Sequence, residues 1–133
     1  DDAVLERNTL LIRQSSIREL DQRSPASFVE LLRGPSSLGG LLQAHGYASV
    51  PSPAFPGPKE SEQYFRGGFN TDTHGSRQGG PISAVQIECP WLGVRDTPSN
   101  RAKFVHVLTD VLPIWFRAHF GIPLASKSNT PPP

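Results

Sequence analysis

Hydrophobic positions recur at helical spacing in the first third of the chain and again near its end. Three short helices are expected between residues 15 and 46. Ser16 and Glu19 have the spacing of a capping box, in which the hydroxyl accepts from the third amide and the carboxylate reaches back to the first. Ser24 followed by Pro25 marks a second helix start, with proline at the first helical position. Phe28, Leu31 and Leu32 give that helix an apolar face, and Gly34 closes it. A third helix runs from near Ser36 to Gly46 and buries Leu38, Leu41 and Leu42. The strongest pattern comes last. Thr97 can cap, Pro98 opens the helix, Phe104, Leu108, Val111 and Trp115 recur along one face, and Gly121 ends it. Pro113 should kink this helix.

The rest of the chain reads differently. Residues 1–14 mix charge with Leu5, Leu10, Leu11 and Ile12 and suit a short strand or an irregular lead-in. Tyr47 to Val50 has the look of a brief strand. Residues 51–58 carry four prolines, which forbid helix and leave an extended connector. Residues 66–81, RGGFNTDTHGSRQGGP, form a polar, glycine-rich loop too long for a hairpin turn. Ile82 to Glu88 reads as a strand between Pro81 and Pro90. Short helices with isolated strands imply a mixed α/β fragment. The stripe on the last helix needs a sheet to cover, and the chain offers too few strands for one. The missing strands are expected in a preceding portion, so that residues 1–121 form the C-terminal part of one domain and residues 122–133 a proline-rich, mobile tail.

Composition narrows the possibilities. The chain has 133 residues, 36% of them hydrophobic, with 14 Pro and 12 Gly. That is one domain's length with a modest supply of core residues. The net charge of +1 comes without a basic run, so nothing attracts a nucleic acid backbone. No apolar stretch reaches the ~20 residues that cross a bilayer, and no signal peptide is visible. The single cysteine, Cys89, excludes an internal disulfide and a multi-cysteine metal site. The sequence begins Asp1-Asp2 and contains no Met, so a front portion is expected to have been removed, whether a leader, a longer N-terminal region or a deliberate truncation. The compartment is left open, with secretion one option.

Candidate chemistry concentrates between residues 66 and 95. Alternation along the expected strand sends Val85 and Ile87 to one face, Gln86 and Glu88 to the other. A carboxylate near the C-terminal end of a strand in an open sheet sits where ligands bind and can act as general acid or base. The same alternation also describes a half-buried strand facing solvent. In the preceding loop, glycine pairs let backbone approach a ligand, and Asn70, His74 and Arg77 suit carboxylate or amide recognition. A plain surface loop has the same composition. His45, His74, His106 and His119 make no metal-ligand spacing. Ser36 and Ser37 lack a nucleophile elbow and are better read as helix caps. Cys89 lacks an evident base. Arg95 and Arg101 flank the turn after the strand, Arg101 as a first-turn helix residue.

Tyr64 to Arg95, YFRGGFNTDTHG followed by ISAVQIECPWLGVR, resembles the C-terminal motifs of the N-formylglutamate amidohydrolase family. Ser37 to Pro53 is similar to its eukaryotic branch. The resemblance covers about residues 15–120 and rests most on Gly67-Gly68 and Gln86-Ile87-Glu88. It implies a zinc-carboxypeptidase-like α/β fold and hydrolysis of an N-acyl amino acid amide. In such enzymes zinc activates water and a glutamate shuttles the proton to the leaving amine. Glu88 matches that glutamate. Gly67, Gly68, Asn70 and Thr71 match the loop lining the substrate pocket, His74 stands where many relatives differ, and Arg77 and Arg95 are candidates for gripping a substrate carboxylate. The family's metal ligands have no counterpart here, so zinc would be bound by residues outside this chain.

The leading expectation is therefore the C-terminal chain of a zinc-dependent amidohydrolase-like protein. Its partners would be an N-terminal companion chain from the same precursor and a small acylated amino acid or peptide-like ligand, with neither nucleic acid nor membrane. The rival is a non-catalytic module of matrix, storage or lectin type. A weaker third reading makes the 51–58 segment a peptide-binding surface.

Overall fold

A computed structural model of the protein describes residues 1–65 and 67–124. Among the described residues seven α-helices follow one another: α1 Asp2–Arg7, α2 Thr9–Arg13, α3 Arg18–Arg23, α4 Phe28–Arg33, α5 Leu38–Ala44, α6 Phe69–His74 and α7 Pro98–Phe120. A 3₁₀ turn spans Ser76–Gln78, and a wide turn spans Trp91–Arg95. The described residues contain no strand.

The expected α/β sheet-and-helix fold is thus overturned: the described fold is helical. The segment Ile82 to Glu88 has strand composition, yet a strand needs a ladder partner. Its one backbone hydrogen bond among the described residues runs from the Ala84 amide to the Ser16 carbonyl, 2.9 Å. Pro81 and Pro90, on either side, have no amide to donate. Residues 47–50 also lie outside regular structure. The lead-in is helical because its polar residues cap locally. Asp1 Oδ1 accepts from the Ala3 amide at 3.0 Å, and Asn8 Oδ1 from the Leu11 amide at 3.1 Å.

The core comprises Ile17, Leu20, Phe28 and Leu31, with Ile12, Ala26, Leu32 and Trp115 packed against it. Burial of such side chains stabilises by roughly 1.5–3 kcal/mol each. The stripe on α7 covers this helical layer instead of a sheet. Val111 is fully buried, Phe104, Leu108 and Trp115 are half-buried, and α7 packs on α3, α5 and the Trp91–Arg95 turn. Near the end of α7, buried His119 sits with Nε2 2.8 Å from the Ser36 carbonyl and Nδ1 3.4 Å from Ser24 Oγ. The ends of α7 follow the sequence: Thr97 Oγ1 accepts from the Asn100 amide at 3.0 Å, Pro98 opens it, and Gly121 closes it at φ 65°. The helix runs through Pro113 as one 23-residue element.

Helix α4 starts later than Ser24-Pro25 suggests, with Ser27 as its cap (3.3 Å from the Glu30 amide), and it ends at Gly34 as expected. Helix α5 begins after Ser37, whose hydroxyl accepts from Gly40 at 3.0 Å. The glycine-rich stretch 66–81, expected as a loop, contains α6 and the 3₁₀ turn. Of the expected tail, residues 125–133 lie outside the described residues.

Candidate functional site

The start of α3 organises the site. No local hydroxyl caps it. Ser76 Oγ accepts from the Glu19 amide at 3.0 Å, and Ser83 Oγ accepts from the Leu20 amide at 2.9 Å. Both caps come from distant sequence, 57 and 63 residues away. The Ser16 carbonyl completes the junction. It accepts from the Ser76 amide (3.3 Å), Ser76 Oγ (3.0 Å) and the Ala84 amide (2.9 Å). Arg18 Nε donates to the Ser76 carbonyl at 3.1 Å. The glycine-rich stretch and the extended segment are therefore fixed to one helix end.

Beside this junction the chain turns tightly at Gly67, where φ is +90° and an added Cβ would collide with Thr71 Oγ1. Glycine is required there on both counts. Thr71 Oγ1 accepts from the Gly68 amide at 3.0 Å and donates to the Gly68 carbonyl at 2.9 Å, which pins the start of α6. A Cβ on Gly68 would stand 3.4 Å from Gln86 Oε1. Gly67-Gly68 and Gln86-Ile87-Glu88 thus lie side by side. Gln86 Nε2 donates to Glu88 Oε1, so the two polar side chains point together.

These groups border a cleft of about 1270 Å³. Gly67, Thr71, Arg77, Glu88 and Arg95 all line it. Gly68 does not line it and sits at the Thr71 and Gln86 contacts just described. Asn70 and His74 are exposed on α6 and do not line the cleft; the His74 ring sits edge-on to Phe69, centroids 6.4 Å apart. Arg77 is ion-paired with Asp72 of α6. Arg95 donates from Nε to the Pro90 carbonyl at 3.4 Å, and its guanidinium lies 5.9 Å from the Trp91 ring centre. No described carboxylate forms an ion pair with Arg95. Its neighbour Asp96 is engaged elsewhere. Asn100 Nδ2 donates to Asp96 Oδ1 at 2.8 Å and the Gly93 amide to Oδ2 at 3.1 Å, which hold this carboxyl below the usual carboxylate range. On another wall, burial pushes the Tyr64 phenol above its ordinary value, so it stays a neutral donor.

The floor was not legible as a site. Leu31, Leu42, Phe104 and Trp115 line it, contributed by α4, α5 and α7. Tyr47 meets Phe104 edge-on, centroids 5.1 Å apart. In the sequence these residues read only as helix stripes. A second hollow, about 500 Å³, lies along α1 and α2 and contains none of the candidates.

Among the described residues no three His, Cys, Asp or Glu side chains gather as a metal would need. The histidines are spread over the C-cap of α5, over α6 and over α7, with His45 Nδ1 near the Leu41 carbonyl and His119 buried against Ser24 and Ser36. The residues present do not fit zinc.

No family model, curated protein or solved structure matches the chain.

Proposed function

We propose that this chain forms the ligand-holding part of an amidohydrolase-like protein that acts on N-acyl amino acid or peptide-like amide bonds. Glu88 is its proton-transferring group. The Gly67–Thr71 turn, Arg77 and Arg95 form the rim against which the ligand lies. The observation that carries the reading is convergence: five residues spread from Gly67 to Arg95 line one cleft. Arg95 supplies a cation for a ligand carboxylate, and Glu88 a carboxylate able to accept a proton from water and return it to the leaving amine. On this reading zinc belongs to residues outside this chain, held by a companion chain from the same precursor.

The test is intact-mass and metal analysis of the natively purified protein, followed by Glu88→Gln. A second chain with near-stoichiometric zinc, and turnover lost in Glu88→Gln with ligand affinity kept, supports the proposal. A single metal-free chain that binds ligand without turnover overturns it and leaves a non-catalytic binding module. The breadth of the cleft's apolar wall suits that second reading equally well, since it favours holding a ligand over any particular chemistry.

A further inference from the structure

The cleft's size and lining point beyond a short acyl group. Its roughly 1270 Å³ exceeds the ~300–1,000 Å³ of pockets that enclose a drug-sized ligand. An N-formyl or N-acetyl amino acid would leave most of it wet. Its floor is apolar, and much of its upper wall is apolar and open to solvent. Leu92 is 78% exposed, Phe65 66%, Val85 51% and Ile87 43%, and all four line the cleft. Large side chains gathered this way mark a binding surface.

Four charged side chains line the cleft: Glu62, Arg77, Glu88 and Arg95. Arg95 lies there without a carboxylate ion-pair partner among the described residues, and Asp96, the nearest carboxylate in sequence, is committed to Asn100 and Gly93. Arg95 therefore suits an anion, and the Leu92, Val85 and Ile87 side chains suit a hydrocarbon.

We infer that the cleft binds N-acyl amino acids with medium to long acyl chains, the carboxylate on Arg95 and the chain along the wall formed by Leu92, Val85 and Ile87 towards Trp115. This rests on the proposed reading of the cleft as the site of an N-acyl amino acid, and it adds the substrate class. Every methylene moved from water onto such a wall favours binding, so affinity should climb about fourfold per methylene until the wall is covered.

The experiment measures binding of N-acetyl-, N-butyryl-, N-octanoyl- and N-lauroylglycine to the purified chain by calorimetry. Intrinsic tryptophan fluorescence provides a second readout, since Trp115 lines the cleft. The expected result is an affinity gain of at least a hundredfold between the acetyl and octanoyl ligands. Arg95→Gln should weaken every ligand of the series by a similar factor, about tenfold, and leave the dependence on chain length intact. The double variant Leu92→Ser with Val85→Ser should flatten that dependence and leave N-acetylglycine unaffected. All three side chains are exposed, so the variants keep the fold, which circular dichroism checks.

Equal affinity across the series would overturn the inference. A chain-length dependence that survives the double variant would overturn its placement. Lauric acid binding as tightly as N-lauroylglycine would show that a carboxylate and a chain suffice, which overturns the assignment to acyl amino acids. Glycine release is followed separately. Chain-length-dependent binding without glycine release upholds this inference and removes the hydrolytic reading. Release from N-acetylglycine with no chain-length preference does the reverse.

Discussion

Ser76→Ala is the most informative single change outside the cleft. Ser76 is fully buried and serves two backbone groups at once. Its hydroxyl accepts from the Glu19 amide and donates to the Ser16 carbonyl, each at 3.0 Å. Alanine keeps the shape and removes both. The Glu19 amide then loses its cap, which costs ~0.5–2 kcal/mol at a helix start. The Ser16 carbonyl keeps the Ser76 and Ala84 amides, so its loss is smaller, about 0.5–1 kcal/mol. Together the change should cost roughly 1–3 kcal/mol. At an m-value of ~2 kcal/mol/M the urea midpoint falls by about 1 M. Equilibrium urea unfolding followed by circular dichroism reads this directly. Ser83→Ala removes the neighbouring cap on Leu20, and the two changes together should depart from additivity because they share one helix turn. A midpoint shift below about 0.2 M for Ser76→Ala would refute the reasoning. It would mean that water satisfies the start of α3 and that the junction does not hold the cleft wall.

Gly67→Ala should destabilise by at least ~1 kcal/mol, from positive φ and the collision with Thr71; a neutral result in thermal unfolding would show the turn to be adaptable. Val111→Ala, at a fully buried site on α7, should cost about 2 kcal/mol in urea unfolding, two methyl groups of transfer plus part of a cavity. Burial first and Glu6 second raise the Asp21 carboxyl above its ordinary value of 3.8, so its charged form is disfavoured in the fold. Asp21→Asn should therefore stabilise at pH 7, and the gain should shrink as pH falls through the raised value and vanish below about 3.8; a gain that persists at pH 3 would contradict this cause.

Sequence patterns that carry their own partners were the legible ones. Thr97, Pro98 and Gly121 satisfy the ends of α7 within a few residues, so a local reading bounds that helix. Gly34 and Ser37 do the same for α4 and α5. The Ser16–Glu19 box was not realised. Ser16 uses its carbonyl at the junction, and the hydroxyls that cap α3 come from Ser76 and Ser83. No window of local sequence contains that arrangement. The same limit explains residues 82–88. Strand composition states what a segment can pair with, and pairing depends on a neighbour the segment does not encode. Helix α6 was hidden by its flanks, since Gly67, Gly68 and Gly75 bracket six residues and make the stretch read as a loop. The candidate residues were legible on the rim and invisible on the floor, where a stripe that lines a cleft looks like one that fills a core.

This division of labour follows from how each part is held. The floor is packed side chains, so altering it changes stability and binding together. The rim is held by a few hydrogen bonds: the Ser16 carbonyl anchors Ser76 and Ala84, and the Thr71 hydroxyl holds Gly68. Beyond Ala84 the extended segment makes no further backbone hydrogen bond among the described residues up to Pro90. Upstream of Glu88 the segment is tied to the start of α3 through Ser83 Oγ and the Ala84 amide, and Glu88 itself contacts Gln86. Glu88 and Arg95 are exposed and lie outside this junction. Changes at Glu88 or Arg95 should then alter binding or turnover without altering unfolding, whereas Ser76, which belongs to the junction and does not line the cleft, alters unfolding.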